Sequence, residues 1–71
     1  MSNKPASNNM TCLPNLRNVR RDRNLTQKEL DNIAHIPDGT VAQIEQGKRE
    51  PGINTVFKLA LALNVKIEKL L

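Results

Sequence analysis

Apolar residues recur at helical spacing from Leu16 to Leu71, interrupted at short intervals by Asn, Pro and Gly. Leu16 and Val19 predict a first helix over Leu16–Arg23, with Asn24 as a left-handed terminator. The next start carries the sharpest local signal. Thr26-Gln27-Lys28-Glu29 is a capping box: the Thr26 hydroxyl accepts from the Glu29 amide, and the Glu29 carboxylate accepts from the Thr26 amide. Leu25 and Leu30 are spaced as a hydrophobic staple around it, and Leu30, Ile33 and Ala34 form the inner face of a second helix, Gln27–Ala34. Pro37 blocks continuation, and Asp38 is placed to cap a third helix, Gly39–Gln46, with Val41 and Ile44 inward and Gly47 at its end. A fourth helix, Ile53–Leu63, carries Val56, Leu59, Ala60 and Leu63 on one stripe, and Asn64 is a second left-handed candidate. A short fifth helix, Lys66–Leu71, closes the core with Ile67, Leu70 and Leu71. No segment alternates at period two, so the pattern predicts a compact all-α domain of five short helices over residues 16–71. Residues 1–15, MSNKPASNNMTCLPN, lack an apolar period and read as a flexible arm.

Composition removes whole classes of function. A 71-residue chain makes one small domain. One Cys (Cys12) and one His (His35) supply neither a disulfide framework nor a tetrahedral zinc site, so no metal or other cofactor is expected. Phe57 is the only aromatic residue, which argues against a platform that stacks single-stranded bases. No apolar run approaches the roughly 20 residues that cross a bilayer, so we expect no membrane partner and a cytoplasmic location. No nucleophile, carboxylate dyad or Gly-rich phosphate loop accompanies His35, so catalysis is not expected. The net charge of +4 points to an anionic partner.

The second and third helices, joined by a tight turn, have the layout of a helix-turn-helix, which sets the start of its second helix in the DNA major groove. Many all-α domains share that layout, and individual residues sharpen it. Leu25-Thr26-Gln27, Glu29-Leu30, Ile36, Val41, Ile44-Glu45-Gln46-Gly47-Lys48-Arg49, Pro51, Leu59-Ala60 and Ala62-Leu63-Asn64-Val65 resemble the XRE (Cro/cI-like) helix-turn-helix family of phage and bacterial repressors. The resemblance runs from Leu16 to Leu71 without a gap. It implies a five-helix, lambda-repressor-like domain that binds double-stranded operator DNA as a homodimer and regulates transcription, most often as a repressor. The rival reading is a protein-interaction module of the antitoxin or anti-regulator type, with a protein partner and secondary DNA binding.

The resemblance also implies roles. Gln27, with Thr26 at the same helix start, matches the position that holds a DNA phosphate. Gln43, Thr40, Asp38 and Gly39 make up the face of the reading helix. Gln43 has the chemistry to grip adenine through N6 and N7. Thr40 suits a thymine methyl or a phosphate, Gly39 offers close backbone approach, and Asp38 serves as cap or cytosine reader. Arg20 and Glu45 match a pair that fixes the first helix to the end of the third and leaves Arg20 partly free for a phosphate. Lys48, Arg49 and Gln46 are the favoured phosphate clamp, with Arg17, Arg21, Arg23 and Lys28 as further candidates. Phe57, Leu61, Ile67 and Leu71 are candidates for a dimer seam. Two positions depart from the family. Asp31 stands where Ala is usual, and must tilt to solvent or find donors, because a buried unpaired carboxylate is costly. His35 stands where Gly is usual, in a left-handed turn. The usual Ser cap of the reading helix is Pro37 here, which shifts the expected cap to Asp38.

The charge is uneven along the chain: +3 over residues 16–30, −3 over 31–46 and +2 over 47–58. No Lys or Arg lies in the stretch that holds the third helix. Positive charge therefore flanks the expected reader, which must discriminate through amide and hydroxyl groups.

Overall fold

The computed structural model describes residues 13–71. Among them the helices are α1 (Leu16–Asp22), α2 (Gln27–Ala34), α3 (Thr40–Glu45), α4 (Ile53–Leu63) and α5 (Ile67–Leu70), and no strand is present. The expected all-α, five-helix architecture is the observed one.

Local chemistry sets the boundaries. At the start of α2 both bonds of the capping box form: the Glu29 amide donates to Thr26 Oγ1 at 3.0 Å, and the Thr26 amide donates to Glu29 Oε1 at 2.8 Å. Four helices end in one way. Asn24, His35, Gly47 and Asn64 all lie in the left-handed region, with φ of 58°, 59°, 75° and 57°. In each case the left-handed residue and its successor donate backward to two carbonyls of the last turn. At α2 these bonds are His35 N–H to Asn32 O (3.2 Å) and Ile36 N–H to Asp31 O (3.0 Å). At α3 they are Gly47 N–H to Ile44 O (3.0 Å) and Lys48 N–H to Gln43 O (2.8 Å). This is the Schellman arrangement, which satisfies carbonyls the helix leaves over. At α1, α2 and α4 the successor residue, Leu25, Ile36 or Val65, packs into or against the core.

The core joins all five helices: Leu16 and Val19 from α1, Leu30 and Ala34 from α2, Val41 and Ile44 from α3, Val56, Leu59, Ala60 and Leu63 from α4, and Leu70 from α5. α2 packs on both α3 and α4, and α5 closes against α1 and α4. The Asn15 amide donates to Leu70 O at 3.1 Å and ties the two ends of the fold together. Arg23 seals another end, with Nε donating to Leu63 O at 2.9 Å at the C-terminus of α4.

Several expectations need correction. Leu13 belongs to the expected arm, yet it is 1% exposed and part of the core. The folded unit therefore includes Leu13–Asn15, and the rest of the proposed arm lies outside the described residues. Ile33 was expected inward but is 47% exposed, because Asp31 takes the inward position beside Leu30 and Ala34. Leu71 was expected to close the core, yet Leu70 does so and Leu71 is 59% exposed. Ile67, expected to close the core, packs against it and stays partly exposed. The third helix begins at Thr40, not Gly39. Asp38 does not cap it: the residue at the cap is Gly39, and the amides of Gly39 and Val41 both donate to the Asp31 carboxylate of α2.

Candidate nucleic-acid interface

The turn and helix expected to read DNA are held from two sides. At the C-terminal end of α3, the Glu45 carboxylate (side chain 1% exposed) gathers donors from two other helices. Arg20 of α1 grips it bidentately, with Nε donating to Oε2 at 2.7 Å and Nη2 to Oε1 at 3.0 Å. Gln27 at the first position of α2 donates from Nε2 to Oε1 at 2.9 Å, and Arg17 donates from Nε at 3.3 Å. Burial pushes the Glu45 carboxyl up, but the bonds from Arg20 and Gln27, the Arg20 charge and the Arg17 bond outweigh it and hold the group below its ordinary value of 4.5. The Glu45 bond in turn raises the Arg20 pKa above its already high ordinary value, against the opposing effect of burial.

This geometry bears on two expected roles. Arg20 is buried, and its third donor group, Nη1, is spent on Leu25 O at 2.8 Å. It ties α1 to the end of α3 as expected, and little of its surface is left to meet a phosphate. Arg17, half exposed beside the same carboxylate, is the cation this cluster presents outward. Gln27 is oriented by Glu45, a contact that sequence reasoning missed because it spans 18 residues and two turns.

At the other end of α3, Pro37-Asp38-Gly39-Thr40 forms a turn closed by the Thr40 amide on Pro37 O at 3.2 Å. Gly39 has φ 91° and ψ −9°, the values of the third position of a type II turn. The helix-turn-helix therefore presents Asp38 and Gly39, both exposed, at the tip of a turn, and exposed Gln43 one turn into α3. Thr40 is only 4% exposed, because the turn folds it under the helix start, and the base contact expected of it has little surface to act through. Gln46, Lys48 and Arg49 follow α3 on exposed backbone, next to the reader and not within it. Thr26 spends its hydroxyl and amide on the capping box, while the Gln27 and Lys28 amides at the same helix start keep no acceptor within the described residues. Among the described residues no three of His, Cys, Asp and Glu gather to hold a metal ion, and no helix is long and apolar enough to cross a membrane.

The helix-turn-helix geometry agrees with what the chain is similar to. A helix-turn-helix family model matches residues 16–70. The chain belongs to the XRE-type helix-turn-helix family. It is 38% identical over 53 residues to an uncharacterized HTH-type transcriptional regulator of Methanocaldococcus jannaschii, covering 75% of this chain and 80% of that protein. It is 33% identical over 51 residues to another from Sinorhizobium fredii, covering 72% of this chain and 66% of that one, just under two thirds of its length. Among solved structures it superposes on the restriction-modification controller protein C.AhdI of Aeromonas hydrophila with a TM-score of 0.76 and 28% identity, over 79% of this chain and 85% of that one. This helix-turn-helix chain is a DNA-binding transcriptional regulator.

Proposed function

We propose that the chain acts as a homodimeric repressor on a palindromic operator, with α3 and the turn before it in the major groove. The observation that carries this reading is the division of labour on the surface. Gln43, Asp38 and Gly39 are exposed and carry no positive charge, while Arg17 and Gln27 meet at Glu45 at the end of α3, the Gln27 and Lys28 amides lie at the start of α2, and exposed Lys48 and Arg49 follow α3. Cations and amides hold phosphates and set register, and Gln43 reads a base edge. Similarity to a restriction-modification controller supports a regulatory role. Repression then follows from occupying a promoter.

The dimer reading rests on α4. Ile53, Phe57 and Leu61 lie four residues apart along one face and are 65%, 50% and 81% exposed. At the Leu61 end of this face, half-exposed Ile33 of α2 and Leu61 line a shallow cavity of about 300 Å³ together with His35, Lys58 and Ala62. Phe57, Leu61, Ile67 and Leu71 are expected at such a seam; Phe57, Leu61 and Leu71 are exposed, Ile67 is partly covered by the core, and Ile53 and Ile33 are further exposed apolar residues.

A fluorescence titration with duplex DNA at two salt concentrations tests the reader and clamp. Lys48→Ala should weaken binding to all sequences alike and lower the log–log salt slope by about 0.9. Gln43→Ala should relax preference at one base position per half-site, at a cost of about 1–3 kcal/mol on the preferred duplex. Equal loss on every duplex would remove Gln43 from the reading role.

A further inference from the structure

Asp31 lies in the second half of α2 and is 1% exposed. Among the described residues it makes no ion pair. Its carboxylate is satisfied by backbone: Oδ2 accepts from the Gly39 amide at 2.8 Å, and Oδ1 accepts from the Val41 amide at 2.9 Å. Those two amides straddle the start of α3. The residue at the α3 cap, Gly39, has no side chain to cap with, and α3 is only six residues long, too short to hold its own first turn. The cap is supplied instead by the neighbouring helix, eight and ten residues earlier in the chain.

We propose that Asp31 is the positioning residue of the reading helix. It fixes where α3 begins and how the Asp38-Gly39 turn is aimed, and so decides which groups meet the base edges. The proposal rests on the DNA-binding reading above and adds to it a determinant of specificity that touches no DNA. The chemistry requires a carboxylate. Each oxygen faces an N–H donor, and an amide side chain would turn its own NH₂ toward one of them. Gly39 is the complementary half of the device. A Cβ there meets nothing within 4 Å, so what it supplies is not space but a backbone at φ 91° that lets both amides point at one carboxylate.

The test uses the full chain and three variants: Asp31→Ala, Asp31→Asn, and Asp31→Ala combined with Pro37→Ser. The double variant offers a local capping hydroxyl two residues before Gly39. Amide exchange by NMR is read together with affinity for two duplexes, one selected from a random pool and one scrambled. In Asp31→Ala, exchange at Val41 should speed up about 10- to 100-fold, the range expected for losing a charge-assisted cap, while the amides of Leu30 and Leu59 stay within about threefold. The ratio of selected to scrambled affinity should fall about tenfold, with scrambled binding within about twofold of wild type. Asp31→Asn should fall between, and carries the same readouts if the Ala variant does not fold. The double variant should recover Val41 protection yet not the original base preference, because its helix starts elsewhere. An unmoved Val41 amide overturns the cap. A uniform rise in exchange with the affinity ratio intact reduces Asp31 to a stability residue and overturns the positioning role. A wild-type chain that prefers no duplex overturns the DNA reading itself, a failure distinct from both.

Discussion

Glu45 accepts four hydrogen bonds from three side chains on α1 and α2, and its neutralisation leaves the buried Arg20 charge without a partner. Removing one member of a buried pair costs about 3–5 kcal/mol, so Glu45→Gln should lower urea-measured stability by that order. The pH dependence has a definite sign. Glu45 has a folded pKa below its ordinary value, so its contribution is full above about 4.5 and is lost as pH falls through the folded value. Unfolding midpoints measured between pH 7 and pH 3 should therefore fall more steeply in wild type than in Glu45→Gln; parallel curves would contradict the tie. The Arg20–Glu45 pair was legible through family resemblance. The other partners were not, since Arg17 and Gln27 reach Glu45 across 28 and 18 residues and nothing local marks the meeting. Asp31 was legible only as a problem, an inward carboxylate without a partner. Its solution needed the free amides of the next helix, which appear once the turn is folded.

At the scale of elements, the helix ends were the most readable feature, because they depend on neighbours in the chain. The capping box at Thr26 and the left-handed terminators Asn24 and Asn64 follow from residue type and spacing alone. α3 starts one residue later than the sequence predicts, since Gly39 serves a type II turn and the cap comes from α2. His35 and Gly47 occupy equivalent left-handed positions with opposite side-chain consequences. A non-Gly residue there carries conformational cost, offset in part by a stiffer unfolded chain. His35→Gly should thus raise stability by up to about 1 kcal/mol, and Gly47→Ala should lower it by about 1 kcal/mol, as read from urea midpoints. A loss of stability in His35→Gly would show that its side chain is held by more than the turn.

For the whole molecule, the charge of +4 is less telling than its layout. The negative stretch 31–46 is negative because two of its three carboxylates are structural: Asp31 caps α3 and Glu45 ties α3 to α1 and α2. Only Asp38 shows its charge at the reading face. In the proposed function, a reading helix without Lys or Arg of its own gains selectivity from a second half-site, and the exposed Ile53–Phe57–Leu61 stripe is the surface proposed for a two-fold mate. Leu61→Glu should yield a monomer by sedimentation equilibrium while the unfolding midpoint per subunit at low concentration stays within about 0.5 kcal/mol, because Leu61 is 81% exposed. The most direct test of the central claim, that α3 and its turn read bases as a paired unit, is selection from a pool of random duplexes by the full chain. An enriched inverted repeat with half-sites about 10 bp apart, centre to centre, is the expected result. A pool that stays unenriched while still binding at low salt would contradict it.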